Sequence, residues 1–125
     1  MMNPVIRDQW IADLESGEYT QGKNYLTSRT RDGVETNCCL GVLCQQAVKA
    51  GVIKRTDLIG ETVYYGTSFD DERNGVLPEP VRVWAGLDSE NPRFTVGDNR
   101  DFASSFNDNM GYTFPQIAAL IRAQL

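Results

Sequence analysis

The segment from Cys38 to Val48 limits the possible folds of this chain more than any other. Its apolar residues follow the spacing i, i+3, i+4, i+7 and i+8, which places them on one face of a helix: Leu40, Leu43, Cys44, Ala47 and Val48. Asn37 is the predicted N-cap, and Gly51 is placed to end the helix. Because such a face must be buried by other elements, we expect this helix at the centre of the core.

The length allows one core of this kind and not two. A single domain of 125 residues buries roughly two thirds of the surface of its unfolded chain, whereas two domains would each be marginally stable. The 41% apolar and 23% charged fractions are typical of globular domains. We therefore expect one domain over residues 1–125.

Helices are also predicted on both sides of the central segment. Residues Pro4 to Ser16 and Pro78 to Leu87 show apolar residues at helical spacing. A further helix is predicted from Arg100 to about Met110, ended by Gly111. The last helix begins at Thr113-Phe114-Pro115-Gln116, which matches the capping box S/T-x-x-E/Q.

Strands are predicted in the first half of the chain. Tyr25 to Thr30 and Val34 to Thr36 flank Asp32-Gly33, which favours a hairpin with a type I′ turn. The β-branched and aromatic stretch Thr62 to Tyr65 predicts a third strand. The expected fold is α+β, a small antiparallel sheet of about three strands packed against about four or five short helices.

The cysteines and the N-terminus bear on the compartment. Cys38, Cys39 and Cys44 are odd in number and clustered, which does not fit a disulfide framework. The N-terminal Met1 to Pro4 carries no signal peptide pattern, and the longest apolar run is far shorter than the roughly 20 residues that span a bilayer. We expect a protein of the reducing cytoplasm with no membrane partner.

The chain contains no histidine, which removes Ser-His-Asp and Cys-His chemistry and the commonest zinc sites. Cys38 and Cys39 lie in the first turn of the predicted helix, where the dipole lowers a thiol pKa and favours the nucleophilic thiolate. No histidine is present to act as the base, so buried structural thiols are the favoured interpretation. We expect no metal and no cofactor.

Acidic residues outnumber basic ones by 17 to 12, which gives a net charge of −5 and disfavours free nucleic acid as a partner. The last helix carries one cation, Arg122, so we do not expect sequence-specific DNA binding. The run Asp70, Asp71 and Glu72 is either a solvated loop or an acidic surface that meets a basic protein.

A second candidate site combines cations with aromatic rings. Lys23, Arg29 and Arg31 lie in or near the predicted hairpin, and Tyr64 and Tyr65 lie on a strand expected to pair with it. Together they predict a basic and aromatic pocket for a nucleotide-like ligand. A plain hairpin surface is the alternative.

Three stretches carry a resemblance to a known group. They are Cys38 to Cys44, Leu77-Pro78 with Val81 to Leu87, and Asn107-Asp108 with Gly111, Phe114, Ile117-Ala118 and Leu120-Ile121. In these stretches the chain resembles small proteins encoded by tailed bacteriophages and prophages. The resemblance implies a viral accessory gene, and small acidic proteins of that kind often antagonise host defences. It implies no site residues.

These observations favour a non-enzymatic binding protein of phage origin that interferes with a host factor in the host cytoplasm. Its acidic surface would block a basic host protein, or its pocket would sequester a nucleotide-like small molecule. Two alternatives stay open: a thiol-dependent enzyme that uses Cys38 or Cys39, and a structural component of the virion or its assembly.

Overall fold

A computed structural model describes residues 1–57 and 60–125. Within these residues the chain has an α+β fold, as predicted, with five helices, a four-stranded antiparallel sheet and a two-stranded one. The elements in chain order are α1 Pro4–Glu15, β1 Thr27–Arg29, β2 Glu35–Asn37, α2 Cys39–Lys49, β3 Lys54–Asp57, β4 Thr62–Gly66, α3 Glu79–Ala85, β5 Arg93–Val96, β6 Asn99–Phe102, α4 Ala103–Asp108 and α5 Phe114–Gln124.

The larger sheet has the strand order β2-β1-β4-β3. The predicted hairpin of β1 and β2 is confirmed, with Thr27 paired to Asn37. The predicted type I′ turn is wrong, because that turn needs positive φ at both central residues and Asp32 does not have it. Instead, the Gly33 amide donates to the Thr30 carbonyl oxygen and only Gly33 adopts a left-handed φ, of 82°.

The described residues form six strands where about three were expected, because β3, β5 and β6 were not predicted. β3 was not predicted, yet it pairs with β4 from Lys54 opposite Gly66 to Asp57 opposite Val63. The helix predicted from Arg100 begins only at Ala103, because the residues before it form β6 and pair with β5. This pairing satisfies their backbone groups across the hairpin, so the first turn of the predicted helix does not form.

The central helix α2 is confirmed, but Asn37 does not cap it. Cys38 occupies the N-cap position without a side-chain hydrogen bond. Asn37 is the last residue of β2, and its Oδ1 accepts from the Thr27 hydroxyl over 2.6 Å. Gly51 follows the helix with a φ of 76°, as predicted for its terminator.

The core surrounds α2. Fully buried side chains from α1, α2, the larger sheet and α5 pack together, including Trp10, Leu40, Tyr65 and Ile117. The predicted capping box of Thr113 and Gln116 is present at the start of α5. In the part of the chain that the structure describes, no helix has the length and apolar content needed to span a bilayer.

Candidate functional site

The three cysteines are buried packing residues. Burial raises the pKa of Cys38 to about 12 and the pKa values of Cys39 and Cys44 well above their ordinary range. The expected lowering by the helix dipole is therefore wrong, because desolvation of the thiolate outweighs it. The Cys39 thiol lies 3.7 Å from the Ala103 carbonyl oxygen and donates to it, and so joins α2 to α4.

Tyr64 and Tyr65 lie on opposite faces of the larger sheet, because successive residues of a strand alternate. Tyr65 is fully buried, and its hydroxyl lies 2.6 Å from the Thr27 hydroxyl, with which it shares a hydrogen bond. Burial raises its pKa well above the ordinary value. Tyr64 is half-buried on the other face. Tyr65 therefore belongs to the core, and the two rings do not line one pocket.

Arg29 is engaged in an ion-pair network on the larger sheet. It lies 2.6 Å from Asp57, which also pairs with Arg55 at 2.9 Å, and Arg55 in turn lies 2.5 Å from Glu35. Partial burial by itself would raise the pKa of Asp57, but hydrogen bonds from Arg55 and Arg29 hold it below its ordinary value. Arg55 and Asp57 were not among the predicted site residues, because β3 was not predicted.

Lys23 and Arg31 are exposed, but neither lies beside both tyrosines on one face. Arg31 is in the hairpin turn. Next to Lys23, the amide of Gly22 donates to the Asn37 carbonyl oxygen over 2.7 Å, so it does not offer a free donor to a phosphate. The structure thus distributes the five predicted pocket residues between the core, the opposite face of the larger sheet, an ion-pair network and two exposed loops.

Residues 67–75, the acidic loop, connect β4 to the segment before α3. Asp71 organises the start of this loop: its carboxylate accepts from the Thr67 amide at 2.7 Å, from the Ser68 amide at 2.9 Å and from the Thr67 hydroxyl. The hydrogen bonds from Thr67 and Ser68 hold the pKa of Asp71 below its ordinary range. This carboxylate is therefore a structural part of the loop.

The second half of the acidic loop is attached to the larger sheet. Glu72 accepts from the Thr56 hydroxyl over 2.9 Å. The backbones of Arg73 and Tyr65 exchange two hydrogen bonds of 2.9 Å each and form a β-bridge. Of the three predicted acidic residues, only Asp70 projects without an internal role in the described structure.

Phe69 lies at the tip of the acidic loop and is 90% exposed. Asp70 follows it and is also exposed. Phe69 was not among the predicted site residues, although an aromatic residue directly before a charged run was the available signal in the sequence. In the described residues, the Cys, Asp and Glu side chains form no group placed to hold a metal ion. The acidic loop thus displays an apolar ring and a carboxylate on a backbone that the hydrogen bonds of Asp71 and Glu72 hold in place. Such an arrangement is suited to binding a partner.

Comparison with curated proteins and with solved structures gave no match. A family model described as a domain of unknown function (DUF8296) matches residues 2–125. Because this match extends over nearly the whole chain, the protein belongs to the DUF8296 family.

Proposed function

We propose that the protein is a non-enzymatic binding protein of phage origin, which interferes with a host factor in the host cytoplasm by docking the acidic loop on a basic surface of a host protein. The proposal is supported above all by the exposure of Phe69. Its large apolar ring is 90% exposed and lies next to the exposed Asp70. Aromatic residues are prominent among those that dominate the energetics of protein interfaces.

The position of Phe69 favours tight binding for two reasons. Burying a phenylalanine ring stabilises a complex by about 1.5–3 kcal/mol through the hydrophobic effect. The loop is already held by Asp71 and Glu72, so little conformational entropy is lost when it docks.

The charge of the molecule favours a basic partner. A net charge of −5 repels nucleic acid and attracts basic proteins over long range. Asp70 adds an exposed carboxylate at the point of contact, where it meets Lys or Arg of the partner. A host protein that itself binds nucleic acid presents such a surface.

The buried thiols weigh against the alternative of a thiol-dependent enzyme. A nucleophilic cysteine needs a thiolate with access to substrate, whereas Cys38 and Cys39 are buried and their pKa values are raised. The alternative of a virion component is tested by analysing purified phage particles, because a virion component is recovered in them.

The proposal is tested by affinity capture of the full chain from bacterial host cells, comparing wild type with Phe69→Ala and Asp70→Asn. Val83→Ala is the matched control, because Val83 is also a strongly exposed apolar residue, but on α3. We expect a stoichiometric complex with a basic host protein that both loop variants weaken at least about tenfold and that added salt weakens further. A complex insensitive to Phe69→Ala and to salt contradicts the proposal, as does recovery of the protein only in phage particles.

A further inference from the structure

We propose that a cleft between the β5–β6 hairpin and the end of α5 binds a small phosphorylated aromatic ligand of nucleotide size. The cleft encloses about 420 Å³, and its wall contains two arginines, Arg93 and Arg100, together with Phe102. Small-molecule sites have volumes of about 300–1,000 Å³, so this cleft is large enough for a mononucleotide.

The hairpin register brings the two arginines together. Arg93 lies opposite Phe102 and Thr95 lies opposite Arg100, so all of these residues share one face of the two strands. The other face carries Phe94, which is fully buried in the core. The arginine face is therefore directed outward, into the cleft.

Both guanidinium groups are available to an anion. In the described residues, neither Arg93 nor Arg100 lies within ion-pair distance of a carboxylate, whereas six other ion pairs are formed. The Arg93 guanidinium lies over the Phe102 ring, 4.5 Å from its centroid. This cation–π contact uses the face of the guanidinium's partner ring and no N–H donor, so the donors stay available for the paired hydrogen bonds that phosphate accepts.

The rest of the cleft is preformed and chemically mixed. Gln124 donates to the Thr95 carbonyl oxygen and accepts from the Thr95 amide, both over 2.8 Å, which fixes the end of α5 against β5. Leu87 and Pro92 contribute buried apolar surface, and Asp88 contributes an exposed carboxylate. A ligand with a phosphate, a flat ring and hydroxyl or amino donors matches this set, since Asp88 accepts from the donors.

The test is isothermal titration calorimetry of the full chain with AMP as the probe, and with adenosine and inorganic phosphate as separate arms. We expect AMP to bind, adenosine and phosphate each to bind at least about tenfold more weakly, and Arg93→Gln/Arg100→Gln to reduce AMP affinity at least about tenfold. Arg31→Gln is the matched control, an exposed arginine of the β1–β2 turn, and we expect it to bind AMP as wild type does.

Three results overturn the proposal. They are no binding of AMP, AMP binding that the double variant leaves unchanged, and phosphate binding as tight as that of AMP, which would identify a nonspecific anion site. Thermal melting of the double variant shows whether it folds. The single variant Arg100→Gln repeats the test if the double variant does not fold. No residue of the acidic loop lines the cleft, so the outcome of this assay is independent of the proposed docking function.

Discussion

Trp10 donates its indole N–H to the carbonyl oxygen of Cys39 over 2.9 Å, and both residues are fully buried. The bond joins α1 to the first turn of α2, where the central helix begins. Replacing the indole with a smaller ring removes the hydrogen bond and leaves a cavity beside that turn.

We therefore expect Trp10→Phe to lower the free energy of unfolding by about 2 kcal/mol, measured by urea denaturation. Trp84→Phe is the matched control, because Trp84 is only half-buried and makes no indole hydrogen bond in the described residues. Equal losses in the two variants would show that the bond to Cys39 contributes nothing specific.

Gly41 allows α2 to approach the backbone of Leu26, the residue immediately before β1. A Cβ atom at this position would lie 1.8 Å from the Leu26 carbonyl oxygen, which is backbone and cannot rotate away. We expect Gly41→Ala to destabilise the protein by about 3 kcal/mol, although alanine has the higher helix propensity. Gly75→Ala is the control, since its Cβ meets nothing within 4 Å. Chemical denaturation of both variants measures the difference, and a neutral Gly41→Ala contradicts the close approach.

The buried thiols make stability fall at alkaline pH. Above the ordinary thiol pKa of about 8.5, the unfolded chain releases the Cys38 proton while the folded chain keeps it until about pH 12. The free energy of unfolding therefore falls as pH rises through this window, by up to about 1.4 kcal/mol per pH unit for one thiol.

Urea denaturation at several values between about pH 7 and pH 10.5 tests this expectation, with Cys38→Ala as the comparison. We expect the variant to lose stability with a shallower slope than wild type above about pH 9, whatever its stability at neutral pH. Parallel slopes would mean that the Cys38 thiol is not protected from ionisation by the fold.

Asp71 and Asp70 are adjacent carboxylates with different roles. Asp71 accepts hydrogen bonds from Thr67 and Ser68, whereas Asp70 is exposed. We expect Asp71→Ala to accelerate hydrogen exchange and proteolytic cleavage within the acidic loop, and Asp70→Ala to leave both at wild-type rates. Mass spectrometry of the exchanged peptides provides the measurement. If the acidic loop exchanges and is cleaved at the same rates in the two variants, Asp71 does not organise the loop.

Local features of the fold were predictable from the sequence. The stripe of α2 and the capping box of α5 depend on residues within one or two helical turns of each other, and both are present. β3 was not predictable in this way, because Lys54 to Asp57 is mostly charged and forms a strand only through its pairing with β4. Phe102 and Phe106 have helical spacing, yet Phe102 ends β6 and only Phe106 lies inside α4.

The candidate sites likewise combine features that are visible locally in the sequence with features that arise only when the chain folds. The carboxylate run is visible in the sequence, but burial of Tyr65 and the cysteines is a property of the assembled core. Arg93 and Arg100 are seven positions apart in the chain and come together only through the hairpin register. The cations of the second hairpin were not among the predicted site residues, because the residues from Arg100 onward were predicted as a helix.

In a genetic screen for loss of function, Cys38 to Cys44 would stand out as strongly as an active site does. Every substitution that adds volume at Gly41 pushes α2 away from the backbone of Leu26. The destabilised protein is then degraded, and its amount in the cell falls. The activity of each variant in the screen must therefore be compared with the amount of that variant in the cell before the sensitive positions are interpreted. Inactive variants that remain abundant are expected at exposed positions such as Phe69, and those variants identify the interacting surface.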